Sequence, residues 1–319
     1  MRKKILFLIF ILSVILFFHF FDHERYVVTE TEIIPYGCYG MAFSKMPPKT
    51  RPRVILLGNS VLQYTWERYS IVQLKDSAHL DLELGNFSIT GASIADYIAN
   101  YNYVKQFHPD LLVVHLTSIT FGFTDPLYRN QTRKLLFLPE MRDMWTPLIL
   151  NTYTKEDLVE SFYFSYFPMF RKIKILREEP REWIDKYSMK YFGFRIMNFF
   201  PYSLNEGGEW HERNRARASA GNQYPLARPL FEFFVRQLIK DHQKAVFVIQ
   251  ESQDPDVPIF SEIESILADQ PDLFSFYNFK NYYKKKDFGD TIHPNAAGSY
   301  ICAQRLLRVI IRGLDGETL

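Results

Sequence analysis

Three residues of this chain have the chemistry that acyl transfer needs. Ser60 follows a short apolar run at 54–57, and Asp290 and His293 stand three positions apart near the C-terminus. A histidine can take the proton of a serine hydroxyl, and a carboxylate can hold that histidine in the required tautomer. These residue types therefore predict a nucleophile, a general base and the acid that orients the base.

The G-x-S tripeptide and the D-x-x-H spacing each occur twice in the chain. The position of each copy in the predicted fold therefore decides which copy is the candidate. The tripeptide at 58–60 has a counterpart at 91–93, and the D-x-x-H spacing is repeated by Asp76 and His79. That second pair follows the first predicted helix, which returns the chain to the amino ends of the strands. Asp290 and His293 follow the last predicted strand instead. We therefore expect them at the carboxyl edge of the sheet, together with Ser60.

Some of these residues also have structural explanations. Ser60 stands where a helix begins, and serine is a favoured N-cap residue, so both roles stay open for it. Ser93 is predicted to be a serine in the first turn of a helix. His115 lies within an apolar run and is predicted to be a core histidine rather than a catalytic one.

The elements that position these residues alternate between strands and helices. Strands are predicted at 54–57, 80–87, 111–116, 245–249 and 273–277, and helices near 62–74, 91–105, 260–268 and 295–311. The run at 54–57 is continuously apolar, which is typical of a strand buried on both faces, and 111–116 is predicted to be another buried strand. The pattern predicts an α/β fold: a three-layer, doubly wound parallel sheet of about five strands in flavodoxin-like order.

The chain divides into three parts. Residues 1–24 are predicted to be a transmembrane signal-anchor, residues 25–52 a proline-containing linker, and residues 53–319 the α/β domain. Within that domain, residues 121–227 are too long for an ordinary connecting loop and predict a mainly helical, aromatic-rich insertion. Its helices are expected near 155–166 and 181–192.

Composition excludes several classes of function. The chain has 319 residues, and its 38 Lys and Arg nearly balance 36 Asp and Glu, so we expect no nucleic-acid partner. Only Cys38 and Cys302 are present. They cannot form a CxxC centre, an iron–sulfur cluster or a cysteine-rich zinc site, although two cysteines are enough for one disulfide. No cofactor and no metal are expected.

The N-terminus predicts a membrane protein. Basic residues at 2–4 precede an apolar stretch at 5–21, which is just long enough to cross a thin bilayer. No small-residue cleavage pattern follows it, so an uncleaved anchor is expected. The basic start places the N-terminus in the cytoplasm. The predicted location is the cytoplasmic (inner) membrane, with one span and an extracytoplasmic, or periplasmic, C-terminal domain.

The residues at the strand ends resemble the sequence blocks of the SGNH, or GDSL-like, hydrolase superfamily. The resemblance covers 54–116 and 245–307. The first block implies that Ser60 is the nucleophile, with Asn59 in place of the usual acid. Gly91 resembles the second-block glycine, and the segment 290–293 resembles the last block, in which the acid precedes the base by three residues. The resemblance implies a serine esterase whose oxyanion hole includes the amides of Ser60 and Gly91.

The third block differs from the family pattern. Family members commonly have Gly-x-Asn after the third strand, with the asparagine as an oxyanion donor, whereas this chain has Thr117-Ser118-Ile119. Isoleucine cannot donate a hydrogen bond. Ser118 and Thr120 are the nearest hydroxyls, and Ser118 is taken as the third candidate for the oxyanion hole.

Two functional hypotheses follow. The anchor, the extracytoplasmic domain and the insertion are similar to envelope-modifying members of the superfamily, such as alginate O-acetylation proteins and the D-alanine transfer protein of teichoic acid synthesis. The first hypothesis is a serine esterase or O-acyltransferase acting on a cell-envelope polysaccharide or glycolipid. The second is a catalytically weak or inactive scaffold that binds envelope glycan or lipid, or supports a membrane-bound O-acyltransferase.

Overall fold

A computed structural model gives the fold of most of the α/β domain. The described residues are 9–10, 12–13, 27–29, 32–33, 48–62, 71–89, 91–121, 137, 139–151, 153–166, 227–250, 259–279, 284, 287 and 294–315. None of the helices within these ranges is long and apolar enough to cross a membrane. Most of the predicted anchor at 5–21 lies outside the described residues, as do Cys38 and the helix expected near 181–192.

Five parallel strands form the centre of the domain. They are β3 (Arg53–Leu57), β4 (Glu83–Asn86), β5 (Leu111–Leu116), β6 (Ala245–Ile249) and β7 (Phe274–Asn278). Their spatial order is β4-β3-β5-β6-β7, and every neighbouring pair is parallel. The prediction of a doubly wound, flavodoxin-like sheet of five strands is confirmed.

Two further short strands lie within the segment predicted to be a linker. Strand β1 (Val27–Thr29) pairs antiparallel with β2 (Glu32–Ile33), and β2 pairs parallel with the edge strand β4. The segment 25–52 therefore contains two short strands that the sequence did not predict. The reason is that the free edge of β4 offers backbone hydrogen bonds, which even a very short strand can fill.

The run at 54–57 in β3 is continuously apolar because both faces of the sheet are covered there. Successive side chains point to opposite faces. Ile55 and Leu57 pack into one hydrophobic cluster, while Val54 and Leu56 of the same strand pack into the other. The four side chains are fully buried. A strand in this setting has no polar face, which is why the run at 54–57 shows no alternation.

Seven helices complete the described part of the fold. They are α1 (Ile71–Ser77), α2 (Ile94–Val104), α3 (Pro147–Leu150), α4 (Lys155–Tyr166), α5 (Ala227–Lys240), α6 (Phe260–Leu267) and α7 (Ala296–Asp315). Residues of α1 and α7 belong to the cluster on one face of the sheet. Those of α2, α5 and α6 belong to the cluster on the other. Helix α5 was not among the predicted elements.

The described part of the insertion packs into the main core. Met144, Ile149 and Tyr153 belong to the same buried cluster as α2 and α5. Helix α4 has the bounds that the sequence predicted for its first helix, 155–166. Exposed aromatic side chains also occur in this region, and we call Trp145, Phe162, Tyr163 and Tyr166 the aromatic cluster. Phe162 contacts Tyr163 and Tyr166, with ring centroids 5.9 and 5.0 Å apart.

Candidate active site

The order of the strands creates a crevice between β3 and β5. The chain passes from β3 to β4 on one side and then returns to β5 on the other side of β3. The connection after β3 and the connection after β5 run in opposite directions, so they separate and leave a crevice. Such a place in the strand order is called a switch point. In open α/β sheets, ligands bind outside the carboxyl ends of the strands at such a point. The residues after β3, which include Ser60, and those after β5 are therefore the candidate ligand-binding residues.

The turn after β3 is shaped by Gly58 and Asn59. A Cβ atom on Gly58 would lie 2.8 Å from the Cβ of Leu62 and 3.1 Å from Ser88 Oγ, so a side chain does not fit there. The Val61 N–H donates to Asn59 Oδ1 at 3.1 Å, and residues 60–62 are helical. Asn59 thus occupies the capping position that the sequence had left open for Ser60. Ser60 is the first helical residue and is buried.

A buried hydrogen-bond network joins the loops after β3 and β5, and we call it the switch-point network. Asn59 Nδ2 donates to Thr117 Oγ1, which links the two sides of the crevice. The Thr117 N–H donates to Thr120 Oγ1 at 3.0 Å. Tyr97 donates its hydroxyl proton to the His115 carbonyl at 2.7 Å and lies 3.5 Å from Thr120 Oγ1. Burial raises the pKa of the Tyr97 phenol well above its usual value, so this hydroxyl keeps its proton.

Gly91 does not begin a helix, although the sequence predicted that it would. It has a left-handed backbone with φ of 68°, and α2 starts three residues later, at Ile94. Ser93 is the N-cap of α2, and its hydroxyl accepts from the Asp96 N–H in a capping box. Ser93 thus has a structural role at the start of the helix, as predicted, but it is the N-cap rather than a residue of the first turn. Among the described residues, the amide of Gly91 has no hydrogen-bond partner.

The residues after β5 form a single 3-10 turn, Ser118–Phe121. The backbone of Ser118 lies in this turn, but its side chain is outside the described part of the structure. Thr120 is fully buried, and its hydroxyl belongs to the switch-point network. Of the two hydroxyls that the sequence offered in place of the family asparagine, Thr120 is therefore already engaged.

Asp290 and His293 lie outside the described residues, but both ends of their loop are described. The Asn295 N–H donates to the Asp287 carbonyl at 2.8 Å, which closes the loop at its base. Helix α7 then begins at Ala296. Thr90, after β4, is also outside the described residues.

The contacts of α7 show at which edge of the sheet this helix begins. Near the start of the helix, Cys302 Sγ lies 3.1 Å from Oε1 of Gln250, the residue that follows β6. Near its end, Gly313 approaches Leu111 and Val246, at the beginnings of β5 and β6. Helix α7 therefore begins at the carboxyl edge of the sheet, which is the edge where Ser60 lies.

His115 is a core residue, as the sequence predicted. Its side chain is fully buried, and Nε2 lies 2.7 Å from Gln250 Oε1. Burial lowers the pKa of the imidazole to about 4, against the smaller opposing effect of the Gln250 contact. The cluster of His115, Gln250 and Cys302 was not predicted, because its members are separated by 135 and 52 residues in sequence.

A groove of about 520 Å³ opens at the opposite, amino-terminal edge of the sheet, beside Tyr101 and Lys105. Its charges are largely paired: Lys49 lies 2.7 Å from Asp110, and Lys105 lies 2.9 Å from Asp143. These pairs leave little net charge with which to select a ligand. Within the part of the chain that the structure describes, no cluster of three His, Cys, Asp or Glu side chains is arranged for a metal ion.

Comparison with known proteins gives only distant structural matches. No family model and no curated protein matches the chain. A psychrotrophic esterase, EstA from Pseudoalteromonas sp., matches 83% of this chain and 99% of its own, with 10% identity and a TM-score of 0.40. An acetyl xylan esterase, AlAXEase, matches 81% of this chain and 99% of its own, with 13% identity and a TM-score of 0.42.

A third match is BT4096, described as a gut microbial diltiazem-metabolizing enzyme. It covers 82% of this chain and 47% of its own, with 13% identity and a TM-score of 0.36. Two of the three structures are thus esterases by name. All three TM-scores are below 0.5, so these matches establish neither the fold nor the activity of this chain.

Proposed function

We propose that this chain is a membrane-anchored, extracytoplasmic serine esterase or O-acyltransferase. Its substrate would be the acyl groups of a cell-envelope polysaccharide or glycolipid. The observation that supports it best is the place of Ser60. This serine follows the central strand β3 at the switch point of a doubly wound sheet, and the neighbouring Asn59 ties its loop to the loop after β5.

The proposed reaction has two halves. Ser60 Oγ bonds to the acyl carbon while His293 takes the serine proton, and the carbonyl electrons move onto the oxygen. The amides of Ser60 and Gly91 donate to that oxyanion, and Ser118 stays a candidate donor. When the carbonyl re-forms, the alcohol leaves with the proton from His293. Water or a sugar hydroxyl then removes the acyl group from Ser60 by the same steps, with Asp290 orienting the base.

Three features of the described residues support these roles. Asn59 takes the capping position, so helix capping does not account for the serine at position 60. The Gly91 amide has no partner within the described part, which leaves it available to an oxyanion. Helix α7 begins at the carboxyl edge of the sheet, so the loop that precedes this helix ends at the edge where Ser60 lies.

The membrane setting rests on the N-terminal sequence. Residues 5–21 would span the cytoplasmic membrane once, with the folded domain on the extracytoplasmic, periplasmic side. A protein held there could receive or deliver acyl groups beside a membrane-bound O-acyltransferase. Acyl transfer and hydrolysis differ only in whether a sugar hydroxyl or water attacks the acyl-enzyme.

Labelling with a fluorophosphonate tests the nucleophile directly. The full chain, purified in detergent, should form a covalent adduct that mass spectrometry places on Ser60, and Ser60→Ala should abolish labelling. Ser161→Ala is the matched control. Ser161 is buried in α4, and its hydroxyl has no hydrogen-bond partner in the described structure, so its removal should not affect labelling. Equal labelling of wild type and Ser60→Ala would refute the proposed nucleophile.

The aromatic cluster favours a second candidate, a scaffold that binds envelope glycan or lipid without turnover. Trp145 and Tyr166 are 49% and 57% exposed. Exposed aromatic groups of this kind often mark interaction sites. This candidate would replace the first if Trp145→Ala weakened oligosaccharide or lipid binding while Ser60→Ala changed neither binding nor the cellular phenotype.

A further inference from the structure

We propose that the hydroxyl of Thr117 is a donor in the oxyanion hole and that the side-chain amide of Asn59 holds it in place. The inference rests on the proposed function, because it assigns a role in the same reaction. It concerns the position where the sequence offers Ile119 instead of a donor. Ser118 and Thr120 are the neighbouring hydroxyls, and the contacts of the described residues favour Thr117 over Thr120.

The first argument is the direction of one hydrogen bond. Asn59 Nδ2 donates to Thr117 Oγ1. An amide nitrogen carries protons and cannot accept, so the hydroxyl proton of Thr117 has to point elsewhere. Within the described part of the chain, no acceptor receives it. Thr117 is 1% exposed, so this proton is not simply directed into bulk water.

The second argument is the level of Thr117 in the crevice. Leu57 of β3 is paired with Val114 of β5 in the parallel register. Ser60 and Thr117 each lie three residues beyond that pair. The two strands that they follow are neighbours, and neighbouring strands are about 4.8 Å apart in a sheet. The contact between Asn59 and Thr117 shows that the two chains are still adjacent beyond the ends of the strands.

The third argument excludes the neighbouring threonine. Tyr97 donates its only hydroxyl proton to the His115 carbonyl, so in its 3.5 Å contact with Thr120 the donor is Thr120. Thr120 Oγ1 also accepts from the Thr117 N–H at 3.0 Å. The hydroxyl of Thr120 is therefore used in shaping the turn.

The chemistry requires no further reactant. As Ser60 Oγ bonds to the acyl carbon and its proton passes to His293, the carbonyl electrons become a lone pair on oxygen. Thr117 donates a hydrogen bond to that oxygen and keeps its proton. When the carbonyl re-forms, the hydrogen bond weakens and the alcohol leaves with the proton from His293. Loss of one such donor typically lowers kcat by about 100- to 1000-fold.

The test compares variants of the full chain in the hydrolysis of p-nitrophenyl acetate. Thr117→Val removes the hydroxyl at similar size, and we expect kcat to fall about 100-fold or more with little change in KM. Thr117→Ser keeps the hydroxyl and should retain most of the activity. Thr120→Val, in the same turn, should lower the melting temperature while reducing kcat less than Thr117→Val does.

A second variant tests the direction of the hydrogen bond. Asn59→Asp replaces the donor by an acceptor, so the hydroxyl of Thr117 would turn towards the carboxylate and leave the oxyanion. We expect kcat to fall without loss of folding, because the contact is kept. In the Thr117→Val background, Asn59→Asp should have little further effect on kcat. A fall that persists in that background would come from the added charge and would overturn the mechanism proposed for Asn59.

The outcomes separate this inference from the proposed function. If Ser60→Ala is inactive but Thr117→Val keeps its kcat, the role of Thr117 is refuted and the serine mechanism stands. If Thr117→Val, Thr117→Ser and Thr120→Val all lose kcat equally, the turn matters only as a structure, and the inference is wrong. If Ser60→Ala is as active as wild type, or if wild type is inactive, both proposals fail.

Discussion

We expect the buried histidine His115 to lower the free energy of unfolding in acid, because its surroundings do not stabilise a charged imidazole. Its side chain is fully buried, and its Nε2 lies 2.7 Å from Gln250 Oε1. Burial is the main cause that lowers its pKa to about 4, because a charged imidazole would lose its hydration; the Gln250 contact opposes this shift. Nδ1 has no hydrogen-bond partner in the described structure, so no further group stabilises a second proton.

The sign and size of the effect follow from the two protonation equilibria. Above about pH 6.5, the ordinary pKa of histidine, this group is neutral in both the folded and the unfolded chain. Between that pH and about 4, the unfolded chain binds a proton that the folded chain does not. The free energy of unfolding therefore falls as the pH falls through this window. A difference of about 2.5 pKa units corresponds to about 3 kcal/mol.

Urea denaturation of the full chain between about pH 7 and pH 4 measures this effect. The comparison variant is His115→Gln, which does not titrate and retains an N–H donor towards Gln250 Oε1. All other titrating groups are common to the two proteins. We expect the variant to lose about 3 kcal/mol less stability than wild type over this range. Equal losses in the two proteins would refute the reasoning.

Two further predictions concern the loop before α7 and the anchor. A Cβ atom on Gly298 would lie 2.1 Å from the carbonyl oxygen of Asp287, so Gly298→Ala should displace the loop between 287 and 295 and lower kcat for ester hydrolysis about 100-fold. Gly313→Ala, in which the new Cβ would meet only side chains, is the control and should mainly lower the melting temperature; equal kcat values for the two variants would contradict the prediction. Deletion of residues 1–24 should move the protein from the membrane fraction to the soluble fraction of lysed cells, and a truncated chain that still sediments with membranes would contradict a single N-terminal anchor.

The buried strands were the most predictable part of the fold. Strands β5 and β6 have the predicted bounds, because strands covered on both faces consist almost entirely of apolar residues, and His115 is the one polar side chain in these two. The start of α2 was predicted too early, since Gly91 takes a left-handed turn before Ser93 caps the helix. Helix α5 was missed even though Phe231 and Phe234 are fully buried in the core, because it adjoins an insertion with no recognisable motif.

The candidate site was predictable only in part. The alternation of strands and helices along the chain was enough to predict Ser60 at the carboxyl edge of the sheet, because parallel strands all end at the same edge. The roles of Asp290 and His293 stay predictions, since both residues lie outside the described structure. Asn59 was noticed only as a departure from the family pattern. Its contact with Thr117 spans 58 residues and has no signature in the local sequence.

The sequence by itself determined which residue types stand at the ends of the strands, because apolar runs, glycines and capping residues act locally on the backbone. The tertiary structure decided which of those ends are neighbours. Strand order placed β3 beside β5, and only then could the amide of Asn59 bond to the hydroxyl of Thr117. A hydrogen bond depends on distance and direction in space, and neither is encoded in the spacing of two residues along the chain.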